Sequence, residues 1–73
     1  MNIVTKEEHQ KIQSYAVWLV EQAGGSENAD LPTIAAAIQQ KFGISRDRAR
    51  QNAAKAVRVV RGRERINDRR RIA

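Results

Sequence analysis

Apolar residues recur along this chain at three- and four-residue intervals in three blocks, each bounded by residues that start or stop helices. In the first block, successive residues placed 100° apart put Ile12, Tyr15, Ala16, Leu19, Val20 and Ala23 on one stripe. Thr5 followed by Glu8 has the spacing of a capping box, and Gly24-Gly25 offers left-handed backbone at the far end, so a helix is predicted from Thr5 to about Ala23. Val17 and Trp18 fall outside the stripe. An apolar pair containing the only tryptophan can cover the N-terminal segment, where Ile3 and Val4 can pack or add an edge strand, or it can form a contact between two copies of the chain.

Gly25 to Asp30 reads as a polar loop. An acidic cap at Asp30 followed by Leu31-Pro32 starts the second helix, read over Thr33 to Phe42, because the proline's missing N–H would have no partner there in any case. Leu31, Ile34, Ala35, Ile38 and Phe42 form its core face, with Gln39 and Gln40 toward solvent. Gly43-Ile44-Ser45 then makes a turn: the glycine takes the left-handed position, Ile44 plugs the corner and Ser45 caps the third helix. That helix is predicted over 46–61 with a stop at Gly62, and Ala49, Ala53, Ala56, Val57 and Val60 are its apolar stripe. Its small side chains imply close packing.

The third helix is where charge changes the picture. Residues 1–44 hold three lysines against five acids, whereas residues 45–61 hold six bases against Asp47 and residues 62–73 five arginines against Glu64 and Asp68; the total is +6. Arg50, Arg61, Ala54, Asp47, Arg58, Gln51, Lys55 and Arg48 follow one another around the side of the helix opposite its apolar stripe. Asp47 can pair one turn away with Arg50 or Gln51. A segregated basic half, with Lys55 its sole lysine, is the electrostatic footprint of a nucleic-acid binder, and arginine favours bidentate contact with phosphate or guanine. The tail after Gly62 admits two readings. Asn67-Asp68 can turn a short β-hairpin wing between Arg63 to Ile66 and Arg69 to Ile72, or residues 63–73 form a basic arm that orders on phosphate. The domain reading is a three-helix unit at 5–62 followed by that arm.

From Leu31 to Arg61 the sequence resembles a helix-turn-helix unit, and with the first helix it resembles a three-helix DNA-binding domain. Phe42-Gly43-Ile44-Ser45, with Ala49 six residues past the glycine, carries the resemblance, while Gln39 and Asn52 stand where the motif prefers alanine and an aliphatic residue. The expected fold is therefore all-α, a compact three-helix bundle with helix-turn-helix and a C-terminal basic arm or short β-hairpin wing. The resemblance implies that the start of the third helix meets base edges in the major groove, which nominates Arg46, Arg48, Gln51 and Lys55. Arg50, Arg58 and Arg61 then suit phosphates, and Arg63, Arg65, Arg69, Arg70 and Arg71 the DNA backbone or minor groove.

The remaining composition narrows the alternatives. There is no cysteine, so disulfides and thiolate metal sites are excluded, and no metal or cofactor is expected. Ser45 has no neighbouring base in the sequence and the sole histidine, His9, lies in another helix, so the chain is not expected to be an enzyme. Glu7, Glu8 and Glu21 read as helix-start and surface charges. The apolar run at Ala16 to Val20 is far too short to span a bilayer, and Lys6-Glu7-Glu8 occupy the place of a signal peptide's apolar centre, which gives the expectation of a cytoplasmic protein. Duplex DNA is the expected partner, with structured RNA sharing the charge argument and a homodimer through Val17 and Trp18 as a further expectation. The competing reading is a protein-interaction module, such as an inhibitor or assembly factor of mobile-element origin, that docks an acidic partner.

Overall fold

The computed structural model describes the backbone of residues 5–71 and the side chains of residues 5–66; the expected packing or strand at Ile3 and Val4 lies outside them. The described residues form three helices and one short 3-10 turn: α1 (Lys6–Gln22), the turn Ser26–Asn28, α2 (Leu31–Phe42) and α3 (Arg46–Arg71). No strand occurs among them. The result is a compact all-helical fold in which α1 and α2 both pack on α3.

The predicted boundaries rest on capping chemistry, and most of them are made as that chemistry requires. The Thr5 hydroxyl accepts from the Glu8 backbone N–H at 3.2 Å, and the Arg48 N–H donates to Ser45 Oγ at 3.2 Å. Gly43 ends α2 at φ 65°, where its N–H donates to the Gln39 carbonyl. Pro32 stands in the first turn of α2, which begins at Leu31, two residues before the predicted Thr33. Asp30 precedes it, but its carboxylate accepts from the Thr33 hydroxyl and bonds none of the helix's free N–H groups.

The core consists of Ile12, Ala16 and Val20 from α1, Ile34, Ala35 and Ile38 from α2, and Ala49, Ala53, Ala56 and Val60 from α3. Each of its isoleucines and valines contributes about 1.5–3 kcal/mol by leaving water. The three α3 alanines are wholly buried, so two helices approach its backbone closely on one side and leave its other side free. Tyr15, Leu19, Phe42, Ile44 and Val57 close the edges of this core. Tyr15 is the aromatic hinge of that edge, edge-on to Phe42 at 5.7 Å and stacked on Trp18 at 5.8 Å, with the Lys41 ammonium 4.9 Å from its ring centre.

Three expectations are corrected. Ala23 is exposed, because the chain leaves the helix there. Leu31 is 44% exposed, since as the first residue of α2 it overhangs the end of the core. The largest difference is at Gly62: α3 does not stop but continues as one helix of 26 residues to Arg71, so the 62/63 boundary falls inside a helix and the stretch from Arg63 to Arg71 is neither hairpin nor irregular arm. A helical glycine costs only about 1 kcal/mol relative to alanine, and the helix makes a long-range contact just beyond it. Glu64, half-buried, reaches back to the 3-10 turn, where its carboxylate accepts from the Ser26 hydroxyl at 2.5 Å and from the Ser26 backbone N–H at 3.2 Å. Gly25 makes room for it: a Cβ there would lie 2.7 Å from Glu64 Oε2, and its φ of +112° is one that other residues resist. A helix of this length is about 39 Å from end to end, and the molecule is accordingly elongated, 51 × 23 × 16 Å.

Candidate nucleic-acid interface

The alanine stripe of α3 decides what its other side presents. With Ala49, Ala53, Ala56 and Val60 turned inward, Arg46, Arg48, Arg50, Gln51, Lys55, Arg58 and Arg61 are all exposed, and Arg63 and Arg65 continue the exposed series past Gly62. Arg69, Arg70 and Arg71 belong to the same helix by backbone, while their side chains lie outside the described residues. Among the described residues the single ion pair joins Arg63 to Glu21 at 3.7 Å, with both side chains more than half exposed. A pair of that kind contributes little. The anticipated pairing of Asp47 with Arg50 or Gln51 is not made; Asp47 instead sits exposed in the first turn of α3, where a carboxylate complements the helix dipole.

Two hollows flank the start of α3 and sort these residues into groups. Between α2 and α3, Arg46, Arg50 and Gln51 face Leu31, Pro32 and Gln39 across an open groove. Between α1 and α3, Arg48 and Gln51 face Lys6, His9 and Gln10 across a cleft of about 470 Å³. Gln51 borders both and so stands on the ridge between them. Lys55, Arg58, Arg61 and Arg65 line neither hollow.

A buried polar contact holds the cleft's two walls in register. Asn52, 9% exposed, lies on the inner side of α3 where an aliphatic residue was expected from the helix-turn-helix pattern. Gln13 of α1 donates from Nε2 to both the Asn52 side-chain oxygen at 2.9 Å and its backbone carbonyl at 3.0 Å. Asn52 Nδ2 in turn donates to the Arg48 carbonyl at 2.9 Å. Every polar atom of the Asn52 side chain is thereby satisfied, which lets an amide occupy an otherwise apolar stripe.

Sequence reasoning had no reason to join Lys6 and His9 to this surface, since α1 carries no excess of positive charge. One signal was present: Lys6, His9, Gln10 and Gln13 recur at helical spacing and form a polar stripe beside Ile12. In the sequence Glu64 is one of two acids among the five arginines that follow Gly62. Hydrogen bonds from the Ser26 hydroxyl and then its N–H hold the Glu64 carboxyl below its ordinary value, against an opposing effect of burial and with a lesser contribution from nearby Arg61.

Among the described residues no cluster of three His, Cys, Asp or Glu side chains is arranged to hold a metal, and no helix is long and apolar enough to cross a membrane. No family model, curated protein or solved structure matches this chain.

Proposed function

We propose that this protein binds duplex DNA and acts as a small transcriptional regulator or DNA-binding accessory factor, with α2, the Gly43 turn and α3 serving as a helix-turn-helix. The observation that carries this reading is the band of exposed bases on α3, of which Arg63 alone has a carboxylate partner among the described side chains. Unpaired arginines on one rigid face suit a polyanion, and the turn of three residues between α2 and α3 resembles the motif that lays its second helix in the major groove. In this reading Arg46, Arg48, Gln51 and Lys55 face base edges, with arginine or lysine suited to guanine and glutamine to adenine. Arg50, Arg58 and Arg61 hold phosphates, and the arginines beyond Gly62 extend that contact along the backbone.

Titration against duplex DNA at several salt concentrations tests the proposal. Engagement of about six phosphates gives a log-log salt slope near −5; a slope near zero refutes it. Gln51→Ala or Arg48→Ala relaxes sequence preference by about 1–3 kcal/mol at the base pair it reads. Competition with duplex RNA separates the two nucleic acids.

A second reading, a protein-interaction module docking an acidic partner, is favoured by Trp18, which is 51% exposed and borders a groove with Val17, Val59 and Arg63. The same face supports self-association. Capture of a defined protein from nuclease-treated lysate, unchanged by the nuclease, favours the module over DNA.

A further inference from the structure

The cleft between the first turns of α1 and α3 has a composition that the band on α3 does not explain. Its walls are Lys6 and His9 on one side and Arg48 and Gln51 on the other, brought together from positions about forty residues apart, and its floor includes Ile12 and Ile44. No carboxylate lines it. Of the acids nearest in sequence, Glu7 borders a different hollow with Lys11, Tyr15 and Lys41, and neither Glu8 nor Asp47 lines this cleft. No ion pair among the described residues joins Lys6 or Arg48 to a carboxylate, and the two Gln13–Asn52 hydrogen bonds keep these walls facing each other.

We infer that this cleft is a phosphate-binding site, and that its occupant is a backbone phosphate of nucleic acid lying beside the segment met by α3. Lys6 and Arg48 supply the charge-assisted contacts from opposite walls. His9 donates an imidazole N–H, which it has in either protonation state, and the Gln51 amide supplies a further donor. Residues at the starts of both α1 (Thr5 and Lys6) and α3 (Arg48) line this cleft, so the positive ends of both helix dipoles lie beside it. The function of α1 is thereby deepened: besides closing the core it places Lys6 and His9 on the backbone, next to Arg48 and Gln51, which border both the cleft and the face assigned to base edges. The choice of a nucleic-acid phosphate over a free one rests on the DNA-binding reading, since the cleft shares Arg48 and Gln51 with the face assigned to DNA.

The experiment has two arms that fail independently. Amide resonances are followed by NMR during titration with inorganic pyrophosphate, and separately with a short DNA duplex, for the wild type and for Lys6→Gln and His9→Gln. Lys6 and His9 are exposed, and thermal melts establish that both variants fold. The expected result is that pyrophosphate and duplex both move the resonances of Lys6, His9 and Arg48, and that Lys6→Gln abolishes the pyrophosphate response. The same variant lowers the magnitude of the duplex salt slope by about 1 without changing sequence preference. A pyrophosphate response at the cleft with no duplex binding overturns the nucleic-acid source and the proposed function, leaving a site for a free phosphorylated ligand. Duplex binding with Lys6 and His9 stationary and a salt slope unchanged in Lys6→Gln overturns the cleft and leaves the proposed function standing. Silence in both arms overturns both.

Discussion

Replacing Gln13 by alanine probes the contact that sets α1 against α3. The substitution removes Nε2 from the Asn52 side-chain oxygen and from the Asn52 carbonyl, bonds of 2.9 and 3.0 Å. The carbonyl retains its place in the helix, so the loss is concentrated on the side-chain oxygen. Leaving a buried acceptor unpaired costs about 1–3 kcal/mol. Asn52 borders the cleft and is 9% exposed, which gives water a route to the oxygen and places the expected cost at the low end, about 1 kcal/mol. In a domain of this size about 1 kcal/mol lowers the melting temperature by roughly 4–8 °C, against a total stability of about 3–5 kcal/mol. Thermal and urea unfolding followed by circular dichroism measures it. The companion variant, Gln13→Met with Asn52→Leu, replaces both partners by apolar groups of similar size, and the expected result is a stability within about 1 kcal/mol of the wild type. With the single variants Gln13→Met and Asn52→Leu beside it, the double-mutant cycle isolates the pair. A melting temperature unchanged in Gln13→Ala, or a double variant less stable than either single one, would refute the reasoning.

Two further outcomes follow from contacts at the other end of the molecule. The Glu64 carboxyl is held below its ordinary value by Ser26, so its contribution is present above the unfolded carboxylate value and is lost as pH falls through the lower folded value; Glu64→Gln accordingly melts below the wild type at neutral pH, and the gap narrows on acidification, whereas a gap independent of pH excludes the charge-dependent latch. Trp18→Ser tests self-association: with the side chain 51% exposed, the fold survives the change, and sedimentation finds a wild-type dimer and a variant monomer if this face joins two copies. A wild-type monomer across the micromolar to millimolar range rejects that contact.

The helix starts and stops at Thr5, Gly24, Pro32, Gly43 and Ser45 were legible because each is a local device, a side chain or backbone angle acting within four residues. The buried stripe from Ile12 to Val60 was legible for the same reason, since helical periodicity is a local rule. What was not legible is non-local. Gly62 reads as a stop, yet the helix continues, and two residues beyond it Glu64 is paired with Ser26, 38 positions away. Asn52 looked like a flaw in an apolar stripe, yet its partner Gln13 is 39 positions away. The exposure of the α3 bases could be counted around a helical wheel, but the addition of Lys6 and His9 from α1 required the packing of two helices to be known.

These non-local contacts also explain how a small core can carry a long working helix. The four apolar residues of α3 that are buried with the other helices' side chains, Ala49, Ala53, Ala56 and Val60, lie within its first fifteen residues. Beyond them a helix of this composition has too little apolar contact to be held by packing. Glu64 supplies the next attachment, one turn past Val60, and Gly25 is the residue whose lack of a side chain permits it. The 3-10 turn is therefore a tether for α3 and more than a connection between α1 and α2. It orders Arg61, Arg63 and Arg65 on the same rigid axis as Arg46, Arg48 and Arg50, which converts a cluster of bases at one helix end into a line of positive charge along the molecule's long dimension. On the proposed DNA-binding reading, bases held in this way would meet a regularly spaced polyanion without first losing the conformational entropy of a disordered arm.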